Sequence, residues 1–224
     1  VSGCADSDKA HFVWGLTEGE KKAKKVLITY SESRAKSLLE DYRFYNKNVV
    51  YYPAKDFIFY NADVHSNLIV EQRMTAIRQI MEQDELTVIT TIDALADNLV
   101  PMEIIKNYVL TIGETDTIDL DEYKVKLATL GYERCGQVES AGQFAIRGGI
   151  LDIFPFTGEC PVRIELWDDE VDSIRSFDVS SQRSIERIDT VRIYPATETP
   201  FFAEQIEEGI ENILCEMEET ATRF

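Results

Sequence analysis

In the first half of the chain, short apolar runs alternate with segments whose apolar residues recur at helical spacing. The apolar runs are residues 26–30, 49–52 and 86–91, and each is predicted to be a buried strand. Residues 32–45 and 70–81 carry apolar side chains every three or four positions and are predicted to be amphipathic helices. Strands separated by crossover helices predict an α/β domain with a parallel sheet that helices cover on both faces.

From about Ile112 the pattern changes to short alternating segments separated by glycine and aspartate pairs. Asp119 is predicted to cap a short helix that ends at Gly131. The strands predicted beyond that helix are residues 144–147, 150–154, 162–167, 171–177 and 191–194. Such short connections predict an antiparallel sheet and therefore a small α+β domain distinct from the first.

These patterns divide the chain into a first domain at residues 1–111, a second at residues 112–196 and a final segment at residues 197–224. The final segment carries seven glutamates and no lysine or arginine between Glu204 and Glu219. Its apolar residues recur at helical spacing at Ile206, Ile210, Ile213 and Met217. We interpret it as an acidic amphipathic helix whose apolar stripe needs a partner, and an acidic interaction tail is the alternative.

The amino-acid composition argues against several classes of function. The 224 residues include 23 Lys and Arg against 41 Asp and Glu, giving a net charge of −18. Binding to DNA normally depends on basic residues that neutralise phosphates, so we expect the isolated chain to bind DNA weakly or not at all. No stretch reaches the roughly 18 apolar residues of a membrane helix. The four cysteines are scattered and only two histidines occur, so we predict reduced thiols and no metal site.

The first ten residues resemble a phosphate-binding loop that has lost its function. In the pattern G-x-x-x-x-G-K-[ST], Gly3 and Lys9 fit, Asp8 replaces the second glycine and Ala10 replaces the hydroxyl that binds magnesium. An aspartate there places a negative charge against phosphate, with a repulsion of about 1 kcal/mol at 4 Å even in water. We therefore predict a degenerate, non-functional nucleotide site and no cofactor.

Alternation along two of the strands separates a core face from an outward face. The side chains predicted to point inward are Phe144, Ile146, Val162, Ile164 and Leu166. Arg147, Arg163 and Trp167 are predicted to point outward, and arginine and tryptophan are enriched at binding hot spots. The alternative is that Trp167 only covers a sheet edge or a neighbouring loop. The paired acidic residues come without a histidine partner, and we predict no catalytic residue.

Several long motifs now identify a family. FAIRGGILDIFP (144–155), PVRIELWDDEVDSIRSFD (161–178) and SQRS (181–184) follow one another in order. VEQRM (70–74) and TTIDAL (90–95) precede them. Together they resemble the UvrB-homology module of bacterial transcription-repair coupling factors.

This resemblance implies a RecA/helicase-like first domain without its own ATPase, an inserted second domain that binds UvrA, and a return segment. The positions that match the UvrA-binding surface are Arg147, Arg163 and Trp167. It implies a module that recruits UvrA to stalled transcription complexes in the bacterial cytoplasm, at the nucleoid. In such factors ATP, magnesium and RNA polymerase bind elsewhere, to a translocase and a polymerase-binding domain.

Two alternatives stay open. UvrB itself, a nucleotide-dependent DNA-damage enzyme, shares this layout. It needs an intact phosphate-binding loop, however, and residues 51–73 look shorter than the UvrB stretch that carries a DNA-clamping hairpin. The second alternative is an autoinhibitory clamp on the translocase, and this role is compatible with UvrA binding.

Overall fold

A computed structural model describes residues 5, 8–18, 23–55, 62–97, 99–200 and 203–222. The chain forms two compact units. One consists of Val1–Asn107 with Phe156–Glu159, and the other of Tyr108–Pro155 with Cys160–Phe224. None of the helices in the described ranges is long and apolar enough to cross a membrane. The predicted boundaries at residues 111 and 196 stay predictions.

The first unit contains a small parallel sheet with helices around it. Its described elements are α1 (Asp8–Thr17), β1 (Lys24–Thr29), α2 (Glu32–Arg43), β2 (Val49–Tyr52), α3 (Ala62–Glu82), β3 (Leu86–Thr91), α4 (Ile92–Ala96) and α5 (Met102–Asn107). The strands lie in the order β1-β3-β2, and both pairs are parallel. Ser31 caps α2 by accepting a hydrogen bond from the backbone of Arg34. The predicted parallel arrangement is confirmed.

Two apolar clusters cover this sheet, but they leave part of β1 bare. On one face Met74 and Ile77 of α3 pack against strands β2 and β3. On the other face the buried residues are Ala10, Ala35, Tyr42, Val49 and Ile89. Val26 and Ile28 of β1 are 55% and 54% exposed, although they align with buried residues of β3. Within the described residues, the predicted cover is present on both faces of β2 and β3 and is missing from one face of β1.

A buried arginine on α3 joins the ends of the neighbouring elements. The side chain of Arg73 is fully buried and donates hydrogen bonds to the carbonyl oxygen of Pro53 at 2.6 Å and to Asp97 Oδ2 at 3.3 Å. Its guanidinium carbon lies 4.3 Å from the centroid of the Tyr52 ring. Since a buried charge is stable only when it is paired and hydrogen-bonded, these contacts keep the end of β2 and the end of α4 beside α3.

We expect Arg73→Met to destabilise the first unit by about 3 kcal/mol, because it leaves the carboxylate of Asp97 without its buried partner. The measurement is urea unfolding followed by Trp14 fluorescence in a Trp167→Phe background, in which Trp14 is the remaining tryptophan. Arg78→Met is the matched control, since Arg78 lies on the same helix and is partly exposed. Equal unfolding midpoints for the two variants would contradict the structural role of Arg73.

The second unit is built on a six-stranded sheet. Its elements are β4 (Leu110–Gly113), α6 (Leu120–Thr129), β5 (Glu133–Arg134), β6 (Gln143–Arg147), β7 (Ile150–Ile153), β8 (Val162–Trp167), β9 (Glu170–Phe177), β10 (Ser184–Arg187), β11 (Thr190–Ile193) and α7 (Ala203–Thr222). The strand order is β10-β9-β8-β7-β6-β5, antiparallel except between β5 and β6. β11 was expected in the same sheet, but it pairs with β4 in a separate two-stranded sheet.

The predicted helix ends and core face of this unit are largely found. Asp119 caps α6 by accepting from the backbone of Asp121 at 2.8 Å, and Gly131 follows the helix with a positive φ of 86°. Of the side chains expected to point inward, Phe144, Val162 and Ile164 are buried. Ile146 and Leu166 are only partly buried, because they lie near the strand ends where the sheet opens to solvent.

The final helix, α7, keeps its apolar stripe uncovered. The large apolar side chains that are at least half exposed are those of Ile206, Ile210, Ile213, Leu214 and Met217. Helical spacing therefore predicted the element correctly. The described residues place nothing over the stripe.

Candidate interaction site

The candidate site lies on the polar face of the six-stranded sheet. Asp152 of β7 is directly opposite Arg163 of β8, which is opposite Arg175 of β9. In the next row, Arg147 of β6 and Glu165 of β8 flank Ile150. Residues paired across antiparallel strands project from the same face, and long side chains also reach their diagonal neighbours. The register thus brings charged side chains from four strands together.

Asp152 is the centre of this charged group. Its side chain is fully buried and accepts hydrogen bonds from Arg163 Nε to Oδ1 at 2.7 Å and from Arg163 Nη2 to Oδ2 at 2.9 Å. Arg147 Nη2 donates to the same Oδ2 at 2.7 Å from its diagonal position. Sequence reasoning missed Asp152. The available signal was an aspartate at an outward position in the middle of a strand, with an apolar residue directly before it and directly after it.

Arg163 lies on the predicted outward face, but most of its side chain is covered. Only 16% of its side chain is exposed. Besides the two bonds to Asp152, its Nη1 donates to the carbonyl oxygen of Gln182 at 3.4 Å, and its guanidinium lies 4.8 Å from the centroid of the Phe177 ring. The hydrogen bond to Asp152 raises the pKa of Arg163 above its ordinary value, so this guanidinium stays charged.

The physical reason for this correction is a cover that alternation cannot predict. At this end of the sheet, Val138 packs against Ala145 and Phe177 on the polar face. Gln182 then fixes the following loop, since its side-chain amide donates to the carbonyl oxygens of Val138 and Val179. Alternation predicts which face a side chain occupies, whereas the loops decide whether that face reaches solvent.

Arg147 and Trp167 are accessible. The side chain of Arg147 is 48% exposed, and Trp167 is 82% exposed at the end of β8. Asp168 follows with a positive φ of 60° in the turn that leads into β9. Between these positions Ser173 donates to Glu165 Oε2 at 2.8 Å, and Arg175 Nη2 lies 4.0 Å from the same oxygen. The surface therefore combines an exposed indole with charged groups held by one another.

The comparison with known families decides the identity of this unit. The sequence of residues 110–199, which include Asp152 and all three predicted surface residues, matches the UvrB interaction domain. Residues 110–199 form a UvrB interaction domain.

Relatives of the whole chain agree with this assignment. The chain is 34% identical over 215 residues to a transcription-repair-coupling factor of Bacillus subtilis (strain 168), covering 95% of this chain and 18% of the relative. It is 34% identical over 200 residues to a transcription-repair-coupling factor of Staphylococcus haemolyticus (strain JCSC1435), covering 88% and 17%. UvrABC system protein B of Thermosipho africanus (strain TCF52B) is 32% identical over 197 residues, covering 87% and 29%.

The chain thus spans under a fifth of the coupling factors that it matches. The resemblance predicted from the motifs is confirmed.

The predicted degenerate nucleotide site lies outside the UvrB interaction domain, at the start of the first unit. Gly3 lies outside the described residues. Asp8 is the first residue of α1, and Lys9 follows it on the surface. Ala10 is fully buried in the apolar cluster with Ala35 and Tyr42, so this position serves the core. Among the described residues no group of His, Cys, Asp and Glu is arranged to hold a metal ion.

We expect Arg163→Ala to destabilise the UvrB interaction domain by about 3 kcal/mol, because it leaves Asp152 buried with only Arg147 as a charged partner. Arg147→Ala should cost less than about 1 kcal/mol, since that side chain is half exposed and Arg163 still neutralises Asp152. Denaturant unfolding followed by far-ultraviolet circular dichroism compares the two variants. Equal losses would show that the burial of Arg163 does not matter for stability.

Proposed function

We propose that this chain is a non-catalytic module that recruits UvrA, and that it belongs to a transcription-repair coupling factor. The observation that carries the proposal is the UvrB interaction domain itself, with Arg147 and Trp167 exposed on the polar face of its sheet. Exposed tryptophan and arginine side chains are enriched at the energetic centres of protein interfaces.

The two exposed residues have different tasks in this proposal. Trp167 offers a large apolar ring that loses its contact with water when a partner covers it. Arg147 keeps donors free for charge-assisted hydrogen bonds with the partner, which are stronger than neutral ones. The resemblance places Arg163 on the same surface. In this proposal Arg163 does not contact UvrA directly but supports the surface by binding the carboxylate of Asp152.

Trp167→Ala should weaken UvrA binding by about 1–3 kcal/mol, the usual cost of removing an interface hot spot. Its effect on unfolding should be small, because the side chain is exposed. Calorimetric titration of purified UvrA with each variant measures the affinity. Phe44→Ala is the matched control, since Phe44 is an aromatic of the first unit that is 87% exposed.

If Trp167→Ala binds UvrA like the parent chain, Trp167 only covers the end of the sheet. If the parent chain itself binds no UvrA, the proposed function is wrong.

The alternative function is that of UvrB, a nucleotide-dependent repair enzyme, because the chain is nearly as similar to a UvrABC system protein B as to the coupling factors. We favour the coupling factor because the sequence has Asp8 and Ala10 where a working phosphate-binding loop has glycine and a hydroxyl. The burial of Ala10 supports this choice, since its side chain packs in the core.

We expect no binding of Mg–ATP and no ATP hydrolysis by this chain, because Asp8 repels phosphate and Ala10 offers no ligand to magnesium. Calorimetry with Mg–ATP up to millimolar concentration is the measurement. Micromolar affinity that is lost in Lys9→Ala would place a working nucleotide site here and favour the UvrB alternative.

The remaining proposals concern the longer protein. We place the module in a bacterial cytoplasmic, nucleoid-associated factor whose translocase domain uses ATP and magnesium and whose further domain binds RNA polymerase. The first unit is proposed to be RecA/helicase-like, which its parallel sheet supports. The net charge of −18 supports weak or no DNA binding by the isolated chain. Autoinhibition of the translocase by the same surface is compatible with these assignments.

A further inference from the structure

The buried carboxylate of Asp152 calls for an explanation beyond stability. A fully buried charge is costly to desolvate, and replacing a buried ion pair by apolar side chains is often neutral or stabilising. Asp152 lies in a central strand, between Ala145 on one side and Arg163 on the other. An apolar residue would suit the packing against Ala145. The charged group that does occupy the position organises the arginines around it.

The two arginines use this carboxylate unequally. Arg163 engages Nε and Nη2 with Asp152 and Nη1 with the Gln182 carbonyl oxygen, so all three nitrogens are bonded inside the domain. Arg147 bonds to Asp152 through Nη2, and half of its side chain stays exposed. Its planar guanidinium carries further donors on Nε and Nη1. Arg163 is therefore fixed inside the domain, whereas Arg147 is held through a single nitrogen.

The hydrogen bond from Nη2 of Arg147 restricts the orientation of its planar guanidinium and therefore the direction of the remaining donors. A free arginine on a surface samples many rotamers, and ordering it on binding opposes association. Contact with a buried, immobile carboxylate orders Arg147 before a partner arrives. Arg163 in turn keeps the carboxylate of Asp152 in place by gripping both of its oxygens. The order is transmitted from Arg163 through Asp152 to Arg147.

We propose that Asp152 is a positioning residue of the UvrA-binding surface, whose buried carboxylate holds Arg147 so that its free donors meet acceptor groups of UvrA beside Trp167. This inference rests on the proposed function. Asp152 itself does not contact UvrA in this proposal, because its side chain is fully buried.

The test is a double-variant cycle in UvrA affinity. Asp152→Asn keeps the shape of the side chain and removes its charge, and it should weaken UvrA binding about tenfold, a coupling usual for contacting residues. The double variant Asp152→Asn/Arg147→Ala should bind UvrA like Arg147→Ala alone, because no exposed arginine is left to position. Glu114→Gln is the matched control, since it removes the carboxylate partner of Arg187 elsewhere in the unit, and it should leave the affinity unchanged.

The possible outcomes distinguish the positioning role of Asp152 from the proposed binding of UvrA. A purely structural Asp152 would make the losses multiply in the double variant, and this result would overturn the positioning role. Unchanged or tighter UvrA binding by Asp152→Asn, together with weaker binding by Trp167→Ala, would overturn the positioning role alone. If the parent chain does not bind UvrA, the proposed function fails and the positioning role fails with it.

A measurement on the parent chain covers the case in which Asp152→Asn does not fold. Nitrogen-15 spectra of the arginine side chains should show separate Nη resonances for Arg147, because the bond to Asp152 slows rotation of the guanidinium. Arg147→Lys assigns the signals. A single averaged Nη resonance for Arg147 would show that the side chain is not held and would overturn the proposal.

Discussion

A carboxylate enclosed within a folded sheet must be neutralised by its neighbours, and in this protein that requirement shapes the polar face of the second unit. Asp152 is fully buried, so Arg163 has to lie flat beneath the covering loop to reach both of its oxygens. The loop is in turn held by Gln182, whose carbonyl oxygen accepts from the same arginine. Removing Arg163 would leave the buried carboxylate of Asp152 with only the half-exposed Arg147 as its charged partner.

The first unit solves a similar problem with the charges reversed. Its buried charge is the guanidinium of Arg73, which Asp97, the Pro53 carbonyl oxygen and the ring of Tyr52 compensate. In both units a buried ion fixes the relative positions of elements that apolar packing alone would leave free to slide. The difference lies in what reaches the surface. Arg73 stays enclosed, whereas Asp152 holds an arginine that is half exposed.

The parts of the fold that rest on local pattern could be predicted from the sequence. Parallel strands β1, β2 and β3, the cap at Asp119 and the extent of β8 follow from apolar spacing and side-chain chemistry. The pairing of β11 with β4 could not be predicted, because both strands are four residues long and their contact joins distant parts of the chain. β10 is exposed along its whole length and has a single apolar residue, Ile185, so the sequence shows no alternating pattern there. For the candidate site, alternation predicts the face of Arg147, Arg163 and Trp167. It could not predict that most of the Arg163 side chain is covered, because that cover comes from loops that leave no alternating pattern in the sequence.

The bare face of β1 has a consequence for how the chain behaves in solution. Among the described strands β1 lies at an edge of its sheet, and edge strands can recruit other extended chains unless charge keeps them apart. Lys24 is exposed at its start, whereas Lys25 folds back to donate to the Thr17 carbonyl oxygen at 3.0 Å. Beyond them Val26 and Ile28 stand open to water. Repulsion between chains of net charge −18 opposes such strand-to-strand pairing, and its range shrinks to about 3 Å in 1 M salt. Self-association through this edge should therefore increase with ionic strength.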